Sequence, residues 1–239
     1  MSALELTPDD IRELLRSGEL EILGRMPWSS NATMLATLLS GDVEFPVIYK
    51  PRRGERPLWD FATGTLCQRE VATHDLSELL GWSIVPPTVL RHGPLGPGMV
   101  QLYVDHDPDE HYFTLLEDRA DDLRRFAVFD VLVNNADRKG GHCLRARANG
   151  HVWGIDHGLT FHDEWKLRTV IWDFAGETIP PPLADDVCRV LTDAVDSTLG
   201  SLLHPDEVQA FRRRADDLLR IGRLPNPDPG YHSVPWPMV

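Results

Sequence analysis

Apolar and polar positions follow a period of two through roughly the first hundred residues and a helical period after that. Residues 20–24, 33–39 and 43–50 read as three strands, separated by the turn formers Met26 to Asn31 and Ser40-Gly41-Asp42. Ahead of them, Thr7-Pro8-Asp9-Asp10 supplies a helix cap, a first-turn proline and acids at the positive end of the dipole. Ile11, Leu14 and Leu15 give that helix one apolar face, and Gly18 closes it. Residues 66–80 predict a second helix with Val71, Leu76, Leu79 and Leu80 on one side and Gly81 as its stop. Two more strands follow, around residues 88–91 and 98–104.

The pattern changes after Val104. A polar linker, Asp105 to Glu110, leads into a helical period over residues 115–134, and helices return at 183–199 and 205–219. Between them, residues 143–147 and 151–155 alternate as two short strands around the hairpin turn Ala148-Asn149-Gly150. The expected architecture is α+β in two lobes. Residues 1–104 form a β-rich lobe with one main helix, residues 105–224 a helical lobe holding the hairpin, and residues 225–239 a proline-rich tail.

Composition narrows the class. The 239 residues are 42% hydrophobic and 26% charged, as in ordinary globular proteins. No apolar run approaches the roughly 18 residues of a membrane span, and no basic-then-apolar leader opens the chain, so a cytoplasmic location is expected. Cys67, Cys143 and Cys188 are scattered and expected to be reduced and buried. The net charge of −13 argues against nucleic acid or anionic lipid as a partner. The basic clusters, Lys50 to Arg53 and Arg212 to Arg214, are short. Stable membrane insertion is not expected, and the sequence leaves the oligomeric state open.

The candidate chemistry lies in the hairpin region. Asp137 and Asp156 stand nineteen positions apart, one before the hairpin and one just beyond it. Either alone reads as a turn-capping aspartate. The ordered pair around a hairpin is how phosphoryl-transfer enzymes set a proton acceptor beside a metal ligand. Asn135, Asp137 and Arg138, followed by Ile155-Asp156-His157-Gly158, resemble the loops of the phosphatidylinositol 3- and 4-kinase superfamily, with its HipA-type and actin-fragmin-type relatives. The resemblance runs over roughly residues 20–174. It implies a protein-kinase-like fold, ATP and Mg2+ as cofactors, and transfer of the γ-phosphate to a hydroxyl on a soluble inositol, a polyol or a protein.

The same resemblance distributes roles. Asp137 is the expected base, with Arg138 and Lys139 offsetting charge on the moving phosphoryl group. For Arg138 a structural salt bridge competes equally with that role. Asp156 is the expected metal ligand, and His142 occupies the position where those families carry a magnesium-binding Asn, although magnesium prefers oxygen. Lys50, at the end of the third strand, is expected to hold nucleotide phosphates, oriented by Glu70, with Glu78 as the weaker candidate. Its bland alternative is a strand-end lysine in solvent. Ser29, Ser30 and Asn31 are placed over the phosphates, and Gln101 and Tyr103 at the adenine.

Two other readings compete. His142 encourages a nucleotide-binding pseudokinase that acts as an interaction module. An unrelated metal-dependent hydrolase would use Asp and His ligands, but His142, His157 and His162 lack the His-x-x-x-His spacing of one zinc-binding helix face. The acceptor stays open, although residues 159–180 carry only Lys166 and Arg168 as cations, few for a polyphosphoinositide.

Overall fold

The computed structural model describes residues 6–27, 32–191 and 193–239, with no side-chain description for residues 193 and 194. Helix α1 (Pro8–Ser17) starts where the sequence places it. The Thr7 hydroxyl accepts from the Asp10 N–H, and the Asp10 carboxylate accepts from the Thr7 N–H. Strands β1 (Glu19–Arg25), β2 (Met34–Ser40), β3 (Val43–Pro51), β4 (Thr88–Gly93) and β5 (Gly96–Leu102) form one antiparallel sheet in the order β1-β2-β3-β5-β4. Leu38, Phe45, Val47, Tyr49 and Val100 project from one face and pack with Leu15 and Leu14 of α1 into a core of their own.

Helix α2 (Leu66–Leu80) departs from the one-sided expectation. It is buried almost all round, and its polar residues Arg69, Glu70, Thr73, His74 and Ser77 are buried with the apolar ones. The cause is its position: it contacts β4 and β5 on one side and α5 (Pro181–Val190) and α6 (Asp193–Gly200) on the other.

A second, larger core holds the helical part, with Phe126, Phe129 and Leu132 of α4 (Ala120–Val133), Phe161, Ile171, and Phe211 of α7 (Pro205–Ile221). The single helix expected over 115–134 is two, a short α3 (Tyr112–Leu115) and α4. Arg119 leaves helical backbone between them, where Asp118 turns to pair with Arg145. The long helix expected at 183–199 is likewise α5 and α6. The hairpin strands β6 (Cys143–Arg145) and β7 (Val152–Gly154) are shorter than the alternation suggests, because the Arg147 N–H leaves the ladder for the Asp105 carbonyl. Cys67 and Cys143 are buried as expected, whereas Cys188 is exposed on α5, which corrects the expectation for it. No helix among the described residues is long and apolar enough to cross a membrane.

The tail is docked. The Ser233 carbonyl accepts from the Thr169 N–H and the Trp172 indole, and the Met238 carbonyl accepts from the Gly140 N–H.

One glycine fixes the place where the sheet presents Lys50. Gly98 of β5 pairs with Pro51 of β3, and a Cβ there would collide with the Lys50 carbonyl oxygen and the Pro51 Cα. Both obstacles are backbone, so the strands must separate. Gly98→Ala is expected to cost about 1–3 kcal/mol in a denaturant titration. Gly24→Ala, whose Cβ meets nothing within 4 Å, is the control and should change stability far less.

Candidate active site

Helix α4 ends at Val133, and Asn134 turns the chain through a left-handed conformation (φ 54°) that asparagine tolerates well. Its side chain then ties the loop to the segment that follows the hairpin. Asn134 Nδ2 donates to the His162 and Glu164 carbonyls, and its Oδ1 accepts from the Lys166 N–H. Asn135 donates to Asp130 Oδ1 and accepts from the Asp137 N–H at 3.0 Å. The loop is thus braced on both sides of Asp137.

Beneath it lies a buried ion pair. Arg138 has 0% of its surface exposed, and its guanidinium donates to both oxygens of Asp130 at 2.9–3.1 Å. It also donates to the carbonyls of His142 and Ile155, and to His157 Nε2 at 2.7 Å. Arginine can only donate, so His157 accepts through Nε2 and carries its proton on Nδ1. Burial, with the Arg138 charge behind it, holds the His157 ring well below its ordinary value and therefore neutral. This corrects the expectation that Arg138 offsets charge on a phosphoryl group: a fully enclosed guanidinium cannot reach one. Its structural alternative is the one realised.

Lys50, Glu70 and Asp156 converge from β3, α2 and the end of the hairpin. The ammonium lies 2.5 Å from Glu70 Oε1 and 2.7 Å from Asp156 Oδ1. Glu78 lies in the last turn of α2 and is not the partner. Glu70 Oε2 also accepts the His157 N–H at 2.9 Å, so one buried carboxylate grips the lysine and the backbone beside Asp156. Burial alone would lower the Lys50 ammonium, but the Asp156 and Glu70 carboxylates more than reverse this and hold it raised. The Lys50 charge holds Asp156 well below the usual carboxylate range. Glu70, enclosed and close to Asp156, is pushed up by burial in spite of Lys50. Asp156 itself has left-handed backbone (φ 61°), and its side chain is 47% exposed. An aspartate in that conformation stores strain of about 1–2 kcal/mol, which its surroundings must hold.

His142 ends a short 3-10 turn, Gly140–His142, at the foot of β6. Its Nδ1 faces the Lys139 N–H at 3.4 Å and its Nε2 faces Asp156 Oδ2 at 3.4 Å. Burial pushes the ring down to about 4 against the pull of Asp156, so it is neutral near pH 7. With Nδ1 receiving the Lys139 N–H, the ring proton sits on Nε2 and points at the carboxylate.

A cavity of about 270 Å³ opens on this group, lined by Lys50, Glu70, Asp137 and Asp156 and walled by Leu58, Leu66 and Leu159. Burial raises the Asp137 carboxyl, partly offset by Lys139 at 3.4 Å. The structure therefore brings Lys50, Glu70, Asp137 and Asp156 to one cavity, with Lys139 and His142 against them. It does not bring Gln101 or Tyr103 there. Gln101 is buried with its amide on Thr88 Oγ1, and this cavity runs along Glu55, Arg56 and Leu58. Ser29, Ser30 and Asn31 lie outside the described residues. Sequence reasoning missed Asp130, Thr169 and the partnership of His157. The one available signal was a lone aspartate on the apolar run of α4.

The family model for phosphatidylinositol 3- and 4-kinase matches residues 90–221. Protein Rv2133c of Mycobacterium tuberculosis (strain ATCC 25618 / H37Rv) is 40% identical over 271 aligned residues, spanning 96% of this chain and 95% of its own. Hydra Fam20 with sugar superposes at TM-score 0.60 and 17% identity, over 92% of this chain and 89% of that one. The Golgi casein kinase with Mn/ADP bound gives 0.58 and 15%, over 89% and 74%. The Helicobacter pylori proinflammatory kinase CtkA gives 0.55 and 12%, over 88% and 94%. At these identities the likeness is one of fold, and the fold is protein-kinase-like.

Two outcomes follow from the site's electrostatics. Asp130→Ala leaves Arg138 charged, buried and unpaired, and should cost about 3–5 kcal/mol in urea unfolding. The second concerns His142. Its folded value lies below its unfolded one, so the unfolded chain binds more protons between pH 4 and 6.5. That contribution to stability is present above 6.5 and is lost as pH falls towards 4. From pH 7 to pH 5 the wild type should therefore lose about 1–2 kcal/mol more than His142→Asn, as read from urea midpoints.

Proposed function

The chain belongs to the phosphatidylinositol 3- and 4-kinase family, and from that premise we propose that it moves the γ-phosphate of ATP, accompanied by magnesium, onto a hydroxyl acceptor. One observation carries the reading. Lys50, Glu70, Asp137 and Asp156 arrive from four separate stretches of chain and line one cavity, in the roles that phosphoryl transfer needs.

The donor set suits magnesium. Among the described residues no group of three or more His, Cys, Asp or Glu side chains could hold a metal alone. Magnesium on a nucleotide takes one or two carboxylates and completes its shell with phosphates and water, and the half-exposed Asp156 offers such a carboxylate. Bound there, the ion offsets charge on the β- and γ-phosphates. The remaining work belongs to the chain. Lys50 keeps Glu70 and turns its other N–H donors from Asp156 to phosphate oxygens. Asp137 accepts the proton of the acceptor hydroxyl; its burial makes it a stronger base than an exposed carboxylate. Lys139 is the loop cation left near the transfer, since Arg138 is enclosed. His142, a neutral donor to Asp156, sets the orientation of that carboxylate.

The same His142 favours the second reading, a nucleotide-binding pseudokinase, because it supplies no oxygen where the family carries an asparagine. Turnover decides between them. Lys50→Met should weaken Mg–ATP binding by at least about tenfold in isothermal titration, since it removes charged hydrogen bonds to phosphate. Asp137→Asn should retain that binding and lower ADP production in the presence of acceptor by about 100-fold to 10,000-fold. Equal Mg–ATP affinity in wild type and Lys50→Met sinks the nucleotide role. Binding without turnover on any hydroxyl compound favours the pseudokinase.

A further inference from the structure

The cations around Asp137 are engaged, with one exception. Lys50 bridges Glu70 and Asp156, Lys139 faces Asp137, Lys166 lies between Asp60 and Glu164, and Arg138 is enclosed on Asp130. Arg168 differs. Its guanidinium makes no hydrogen bond and no ion pair among the described residues, and its Nε is sealed from water without a partner. Its backbone, by contrast, is held on both sides. The Arg168 N–H donates to the Asn135 carbonyl at 2.8 Å, and its carbonyl accepts from the Arg138 N–H at 3.0 Å.

Those two bonds press Arg168 against the loop that carries Asp137. Its neighbours are turned inward: Leu167 enters the helical core and the Thr169 hydroxyl donates to Asp130. Side chains of an extended segment alternate sides, so Arg168 projects the other way. Its two backbone partners, Asn135 and Arg138, flank Asp137 in sequence, so Arg168 is held against the loop that carries the expected base, and its charge is among those that lower the Asp137 carboxyl. A guanidinium is a rigid fork of donors suited to carboxylate or phosphate, and a buried donor left without an acceptor is costly. A fixed backbone with unfilled donors beside the base describes a recognition element for an anion.

We infer that Arg168 reads a negatively charged group on the acceptor, which makes the substrate class a hydroxyl compound carrying a carboxylate or a phosphate. This rests on the phosphotransferase reading above. In the transfer, the acceptor oxygen bonds to the γ-phosphorus as the bond to the β–γ bridging oxygen breaks. ADP leaves with that electron pair and the hydroxyl proton passes to Asp137. Arg168 makes and breaks no bond; it selects and orients the molecule whose hydroxyl reaches Asp137.

The experiment titrates the full chain, saturated with Mg–ADP, with glycerol, D-glycerate and sn-glycerol 3-phosphate. These share a hydroxyl and differ in charge, and the last two separate a carboxylate from a phosphate. At least one anion should bind the wild type tenfold or more tightly than glycerol. Arg168→Ala and Arg168→Gln should each lose about 10-fold to 100-fold of that affinity, with Arg168→Lys intermediate. Mg–ADP affinity, measured separately, should not change in these variants. Glycerol binding the wild type as tightly as both anions overturns the inference, and so does anion affinity that survives in Arg168→Ala. Mg–ADP binding without any preference for an anion removes this inference alone. Arg168-dependent anion binding in a chain that binds no Mg–ADP removes the phosphotransferase reading and leaves the anion site standing.

Discussion

The buried pair of Arg138 and Asp130 is the constraint on which the site depends. A guanidinium taken wholly out of water is held only if nearly every donor finds an acceptor, and here the acceptors come from the pieces that must be aligned. Asp130 belongs to α4, the His142 and Ile155 carbonyls flank the hairpin, and His157 follows Asp156. Asp130 also takes the Asn135 amide and the Thr169 hydroxyl. Moving any one of these leaves a buried charge underpaired, so loop, hairpin and following segment are locked together. Asp137 and Asp156 ride on that lock.

Glu70 does for the two lobes what Asp130 does for the loop. It is buried on α2, the helix that touches the sheet on one side and α5 and α6 on the other. One of its oxygens holds Lys50 of the sheet, and the other holds the backbone at His157 in the helical part. A change in the angle between lobes must lengthen one of these contacts. The lysine position and the Asp156 position are therefore coupled through a single carboxylate.

Much of this was legible in the sequence because it follows from local rules. Thr7 and Asp10 cap α1, Gly81 ends α2 in left-handed backbone, and period-two alternation marks the sheet. The spacing of Asp137 and Asp156 around a turn was visible, as was the choice of Glu70 by its place on α2. What was not legible depends on tertiary burial. Arg138 beside a candidate base looks like a working cation until Phe126 and Asp130 enclose it. The polar residues of α2 look solvated until a second layer of helices covers them. Asp130 sits in an apolar run and gives no sign of partners that lie five to thirty-nine residues away. Gln101 looked available to a ligand because nothing local shows that Thr88, on the neighbouring strand, takes its amide.

On the proposed phosphotransferase reading, the charge balance of the cleft bears on which nucleotide form it would admit. The chain carries a net charge of −13, and Lys50 faces two carboxylates. Lys50, Glu70 and Asp156 taken together are net negative. A free nucleoside triphosphate would enter against repulsion and would have to compete with Asp156 for Lys50. A nucleotide that brings its own divalent cation meets the opposite situation. On the proposed reading, Asp156 would hold the incoming cation, and Lys50 would be freed to face the phosphates. Pairing Lys50 with Asp156 lowers the cost of two isolated charges in a partly buried site. On the proposed reading it would also make admission of the anion conditional on the cation.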